Sequence, residues 1–162
     1  MKKFISLLLA VLITVGAMAV PSFAATTDFV DVDTDNEILV KAVDLLDYMG
    51  VAKGMSDTKF GADELVTREQ FALFVYRLMK GGKDAPANAS NTTKFTDLEN
   101  PTYFYAISWA NAAGIVNGRT ETTFCPKDPI TLQEAYAMLT RALEWENEDT
   151  VYPYGHIEIA EQ

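Results

Sequence analysis

The stretch Gly50-Val-Ala-Lys-Gly54 returns as Gly114-Ile-Val-Asn-Gly118. Around it the same order of residues recurs without a gap. Phe60 aligns with Phe124 and Thr67 with Thr131, at a constant offset of 64 residues. Each copy, Ala42 to Met79 and Ala106 to Leu143, reads as an apolar helix, a Gly turn, a loop holding a Phe, then Thr-x-x-Gln or Thr-x-x-Glu and a second apolar helix. One helix–loop–helix unit cannot bury its apolar face alone, so a repeat of this kind decides the architecture. The fold class is all-α.

Helix boundaries follow from local chemistry. Thr34-Asp-Asn-Glu37 has capping-box spacing, which predicts that Thr34 caps the first helix. Ile38, Ala42, Leu45 and Met49, widened by Leu39, Val43 and Leu46, predict its buried face, and Gly50 its end. Thr67 opens a helix that buries Phe71, Phe74, Val75 and Leu78. In the second copy Asn100 caps, Pro101 takes the first helical position, and Tyr103, Ala106, Ile107, Ala110 and Ala113 face inward up to Gly114. Thr131 opens the last helix, with Ala135, Met138, Leu139 and Ala142 buried. The repeats span residues 28–80 and 95–145. Residues 81–94 have no large apolar side chain and predict a mobile linker. Residues 150–162 read as the start of a truncated or degenerate third repeat, with Ile157 matching Ile107 and Ala160 matching Ala110, as in a piece of a longer protein.

Residues 1–24 have a different character. Lys2 and Lys3 precede an apolar run, and Ser22-Phe-Ala24 ends it with small residues, which predicts a secretory signal peptide cleaved after Ala24. The net charge is −10. Such a chain repels nucleic acid and anionic membranes, so an anionic ligand would need a local basic pocket. Cys125 is the single cysteine and reads as a small buried hydrophobe; no intrachain disulfide can form. His156 is the single histidine and lies outside the two repeats, which argues against a Ser-His-Asp or Cys-His centre and rules out a two-His metal site. Asp31-Val-Asp33-Thr-Asp35 starts like a calcium loop, but Asn36 stands where Gly is needed and Ala42 where a bidentate acid is needed. The expectation is therefore no catalytic residues, no metal and no cofactor.

The same residues resemble the S-layer homology (SLH) repeat. They are Phe29-Val-Asp-Val32, Gly50-Val-Ala-Lys-Gly54, Phe60-Gly-Ala62 and Val66-Thr-Arg-Glu-Gln70 in the first copy. In the second they are Phe95-Thr-Asp-Leu98, Trp109-Ala110, Gly114-Ile-Val-Asn-Gly118, Phe124-Cys-Pro126 and Ile130-Thr-Leu-Gln-Glu134. The resemblance implies helix–loop–helix repeats arranged as a partial pseudo-threefold helical prism. It implies a secreted, non-catalytic module at the cell wall or S-layer surface of a bacterium. Its partner would be an anionic secondary cell wall polysaccharide, often with pyruvylated sugars, with no nucleic acid and no membrane after signal cleavage. A further repeat, in cis or from another chain, would complete the module. Two alternatives stay open: a structural or assembly module without glycan binding, and the N-terminal anchor of a larger exported enzyme.

The family's Thr-Arg-Ala-Glu motif falls on Thr67, Arg68 and Gln70, and on Thr131 and Glu134 where Leu132 replaces the Arg. Thr67-x-x-Gln70 and Thr131-x-x-Glu134 are also capping boxes, which need no ligand. A cation in the first turn opposes the helix dipole, which singles out Arg68 as a glycan contact. Bare N–H groups at that helix start would add to the anion site. On this reading Arg68→Ala weakens wall binding and leaves thermal melting nearly unchanged. Either Arg119, after Gly118, or Arg141 is a candidate cation for the second copy, and Trp109 either stacks on sugar or packs in the core. Arg77 and Arg141 suit the helix C-terminal dipole, and Asp31 and Asp97 are expected to bond adjacent backbone.

Overall fold

A computed structural model describes residues 28–146, 150 and 155–157. The predicted signal peptide, and residues 151–154 and 158–162 of the third copy, lie outside them. The described elements are four helices: α1 (Glu37–Tyr48), α2 (Arg68–Met79), α3 (Pro101–Ala112) and α4 (Leu132–Ala142). Among the described residues only isolated bridges join extended chain, at Ser56 with Lys59 and at Thr67 with Pro129. The all-α helix–loop–helix reading holds. No described helix is long and apolar enough to cross a membrane.

The chain divides into two compact units between Glu64 and Leu65. The break falls inside the first sequence repeat, so α2 belongs by packing with the second repeat and by sequence with the first. In the first unit, Val32, Val40 and Val43 form a core joined by Phe29, Leu39, Phe60 and Ala62. Asn36, not Thr34, caps α1, accepting from the Leu39 amide, while Glu37 pairs with Lys41 at 3.2 Å. The cap lies one residue ahead of Glu37, which leaves Thr34 too far out. Val40 is buried where Ile38 had been expected; Ile38 is 65 % exposed.

In the second unit α2 packs on α3 and on α4. Leu73, Tyr76 and Ala106 meet there, flanked by Ala85, Tyr103 and Trp109. Asn100 with Pro101 starts α3, and Thr67 and Thr131 make full capping boxes with Gln70 and Glu134. Gly50 and Gly114 end their helices at φ of 66° and 72°, a left-handed conformation open to Gly at little steric cost. Phe74 and Leu78 are only half-buried and Ala113 is exposed, whereas Leu73 and Tyr76 are buried.

Two Asp residues set the loops. Asp31 accepts from the Phe60 and Gly61 amides at 2.8 and 2.7 Å, and Asp97 from Phe124 and Cys125 at 2.9 and 2.7 Å. Both act chiefly across the loop, on backbone 27 to 30 residues away. Burial raises the pKa of Asp31, but four backbone N–H groups outweigh it and hold the carboxyl below its ordinary value. Cys125 is part-exposed at φ 58°, not a buried hydrophobe. Residues 81–94 are not a free linker either. Arg77 pairs with Asp84 at 2.8 Å, the Thr92 amide donates to Ser108 Oγ, and Asn91 donates to the Phe95 carbonyl. Small polar side chains here replace an apolar anchor with hydrogen bonds.

Candidate functional site

Within the second unit, the start of α2, the loop after α3 and the inner face of α4 enclose a cavity of about 400 Å³. Arg68, Gly118, Arg119 and Glu134 line it, together with Asn117, Ala137, Met138 and Arg141. Four of the eight sequence candidates thus come together. Thr67, Gln70 and Thr131 do not line it; their side chains are occupied in the capping boxes. Trp109 is elsewhere, edge-on to Tyr76 at 5.3 Å and beneath Lys80 Nζ at 4.9 Å from the ring centroid.

Arg68 has a different role from the one expected. Its residue is 4 % exposed. Nε donates to the Phe124 carbonyl at 2.9 Å, Nη2 to the Asn117 carbonyl at 3.1 Å, and Nη1 to Glu134 at 2.6 Å. The guanidinium also lies over the Phe124 ring at 4.6 Å. Burial pulls its pKa down, and Glu134 pulls it back up. The fork of donors is used to pin α2 to the second repeat. The expectation that Arg68 is dispensable for stability is therefore corrected. A first-turn cation that opposes the helix dipole is retained here because it has three partners inside the protein.

The bare amides expected at the start of α2 are also taken. Arg68 N–H donates to the Asp128 carbonyl, Glu69 N–H to Pro126, both at 3.0 Å, and Gln70 N–H to Thr67 Oγ1 at 3.3 Å. Ile130 N–H returns a bond to the Val66 carbonyl at 2.9 Å. The orphan donors of a helix start must find partners, and here the neighbouring loop supplies them.

The more accessible charge comes from Arg119. Its side chain is 41 % exposed and sits 3.5 Å from Asp128 and 3.4 Å from Glu134. Both separations exceed a good N–H···O hydrogen bond. Gly118 brings the backbone that close: a Cβ there would lie 2.3 Å from the Thr120 carbonyl oxygen and 2.5 Å from the Phe95 ring. Arg141, read from sequence as a dipole residue or as an alternative cation for the second copy, borders the cavity too and pairs with Glu146 at 2.9 Å. Nothing in local periodicity separates it from Arg77, which pairs with Asp84 instead. The lining thus holds three Arg against one Glu, on a chain of net charge −10. Ala137 and Met138 supply an apolar floor.

Among the described residues, no group of three or more His, Cys, Asp or Glu is placed to hold a metal ion. Arg side chains over an apolar floor suit an anionic organic ligand with an apolar body.

The S-layer homology domain profile matches residues 28–72 and 94–135. A cell surface protein of Thermoanaerobacter kivui is 33% identical over 164 residues, covering 99% of this chain and 21% of that protein. The middle cell wall protein of Brevibacillus brevis is 35% identical over 153 residues, covering 90% of this chain and 14% of its own. An endoglucanase of Bacillus sp. (strain KSM-635) is 38% identical over 102 residues, covering 60% of this chain and 10% of the enzyme. The chain thus spans about a fifth or less of the length of these relatives. No solved structure matches it. The two matched segments include the start of α2, the loop after α3 and Glu134, while Ala137, Met138 and Arg141 lie just beyond the second match, and this chain belongs to the S-layer homology domain family, a family of the bacterial cell envelope.

Proposed function

We propose that the chain is a non-catalytic anchoring module that binds an anionic cell wall polysaccharide through the cavity beside α4, with pyruvylated sugars as the ligand class. The observation that supports this most is the state of Arg119. Its guanidinium is part-exposed at the rim, and its two ion pairs are long enough to exchange for a ligand carboxylate. A charge-assisted hydrogen bond contributes about 1.5–3 kcal/mol. The pyruvyl methyl and sugar ring would rest on Ala137 and Met138. Gly118 serves by close backbone approach, and Glu134 by holding Arg68 and Arg119 and accepting a sugar hydroxyl. Thr67, Gln70 and Thr131 contribute by fixing the helix starts. Trp109 contributes through α2–α3 packing.

One contact of this strength gives weak binding, so retention on a wall would come from several modules on one polymer. Further repeats, in cis or from another chain, would supply them. The cargo of the whole protein would be a surface-layer polypeptide or, as in the endoglucanase relative, an enzyme. The test is sedimentation with purified wall sacculi, untreated or stripped of acidic substituents by mild acid. Retention on untreated sacculi alone is expected. Equal retention on both, or on neither, would leave the assembly role without glycan binding as the better account.

A further inference from the structure

We propose that the seam between the end of α2 and the middle of α3 is a second binding site, which stacks a carboxylate-bearing sugar beside Tyr105 and Trp109 and holds its carboxylate with Lys80. The site is separate from the cavity, and its ligand class rests on the anionic-glycan reading above. Tyr76 of α2 stands between two aromatic side chains of α3. Its ring is edge-on to Tyr105 at 5.7 Å and to Trp109 at 5.3 Å between centroids. Lys80 Nζ lies over the Trp109 ring, 4.9 Å from its centroid. Tyr105 and Lys80 are exposed, so the patch opens to solvent.

The polar groups of this patch are unused by the protein. Among the described residues, the Tyr76 and Tyr105 hydroxyls and the Trp109 indole N–H make no hydrogen bond, and the Lys80 ammonium has no carboxylate within ion-pair distance. Tyr76 is 7 % exposed, yet no enclosed polar side-chain atom among the described residues lacks a partner. Its hydroxyl therefore reaches the surface, and so does the indole N–H of the half-buried Trp109. Buried phenols and indoles ordinarily find an acceptor, so idle donors gathered on one seam point to a ligand that supplies acceptors. Burial, and after it Tyr105, pushes the Tyr76 pKa up, which keeps that hydroxyl a donor. On a chain of net charge −10, an ammonium left without an acidic neighbour is available to an outside anion.

The donor set selects the ligand. A lipid or an apolar peptide would leave these donors unsatisfied, and the net charge repels nucleic acid. A sugar fits both parts of the patch. Its C–H face lies on the electron-rich face of an aromatic ring, while its oxygens accept from Tyr76, Tyr105 and Trp109. A carboxylate on that sugar draws Lys80 off the indole, and an exposed cation–π contact is weak enough to exchange. Tyr76 follows Arg68 by eight residues, about 12 Å along α2. One polymer then meets the seam and the cavity together, and each contact raises the effective concentration at the other.

The probe is polysaccharide released from purified sacculi, either intact or stripped of acidic substituents by mild acid, titrated into the chain. The Trp109 indole N–H resonance in NMR should shift saturably with the intact polymer alone. It should still do so in Arg119→Met, where the cavity has lost its accessible cation. Lys80→Gln with Tyr105→Phe keeps the packed rings and should melt nearly as the parent does. In that double variant the Trp109 shift should need about threefold to tenfold more polymer, the loss of one exposed ion pair and one hydrogen bond. A Trp109 resonance that stays still while Arg119 responds overturns this site and leaves the cavity reading in place. A Trp109 shift reproduced at parent affinity by the double variant, or by the acid-stripped polymer, overturns the roles given to Lys80 and the carboxylate. No response of either residue removes the anionic-glycan reading and this site with it.

Discussion

Replacing Arg68 by Met removes one side chain and four interactions. Three are hydrogen bonds, at 2.9 Å to Phe124, 3.1 Å to Asn117 and 2.6 Å to Glu134, and the fourth is the 4.6 Å stack on Phe124. Breaking a buried ion pair by removing one partner costs about 3–5 kcal/mol. The low end applies here, because Glu134 keeps Arg119 at 3.4 Å and Met restores part of the packing. A loss of about 3 kcal/mol lowers the melting temperature by about 10 °C in a domain of this size. Urea is the right denaturant, since guanidinium would screen the pair. The midpoint should fall with the slope unchanged. Arg68→Met with Glu134→Met should recover about 1–2 kcal/mol, because no buried charge is then left alone. A single-variant loss below about 1 kcal/mol, or a double variant worse than the sum of the singles, would refute a structural role for this guanidinium.

Arg119→Met copies the residue that the first repeat carries at Met55. It should cost less than about 0.5 kcal/mol of stability, as at other exposed positions, while sedimentation with sacculi falls about tenfold; unchanged sedimentation would move the anion site elsewhere. Gly118→Ala drives a Cβ against two backbone oxygens and the Phe95 ring, and should lower stability by about 2–3 kcal/mol in urea unfolding. Asp31→Ala leaves two loop amides without an acceptor and should cost about 2 kcal/mol at pH 7. Because the Asp31 pKa is lowered in the folded state, its contribution is present above the unfolded value near 3.8 and is lost as pH falls through the folded one. Parent and variant should therefore converge in stability as pH falls from the unfolded value through the folded one, which circular dichroism melts would show.

The helices were legible because their signals are local. Thr67-x-x-Gln70, Thr131-x-x-Glu134, Asn100-Pro101, Gly50 and Gly114 each satisfy or end a helix within one turn of chain. The site was legible only as far as the repeat carried it. Glu134, Arg119 and Gly118 fall in matched motif positions and do meet in one cavity. The role of Arg68 was hidden because its partners are carbonyls 49 and 56 residues away and a carboxylate 66 away. Carbonyls exist at every residue, so sequence gives no sign of which ones a guanidinium will find. Arg141 was legible as a candidate cation but could not be told apart from a dipole residue. Its helix position matches that of Arg77, and only the fold decides that one borders a cavity and the other a loop. Asp31 and Asp97 carried a clear signal of backbone bonding, but the loop they bind is set by tertiary packing.

The offset of 64 residues lets the first repeat be compared with the second at each lining position of the cavity. Arg119 becomes Met55, Glu134 becomes Gln70, Ala137 becomes Leu73 and Met138 becomes Phe74. These four changes remove charge or add apolar volume, whereas Asn117 becomes Lys53 and Val116 becomes Ala52. Leu132, conversely, stands where Arg68 would be needed to fasten a following repeat in the same way. The two copies therefore share a backbone plan and divide the chemistry. The first contributes Arg68, the cross-link at one wall of the cavity, and the second contributes the loop at its rim and the helix that forms its floor. Neither copy alone holds the full set of groups. That accounts for a compact unit whose boundary at Glu64 and Leu65 cuts through a sequence repeat: the folded element is the one that keeps Arg68 with its three partners, and the repeat seen in sequence is offset from it by one helix.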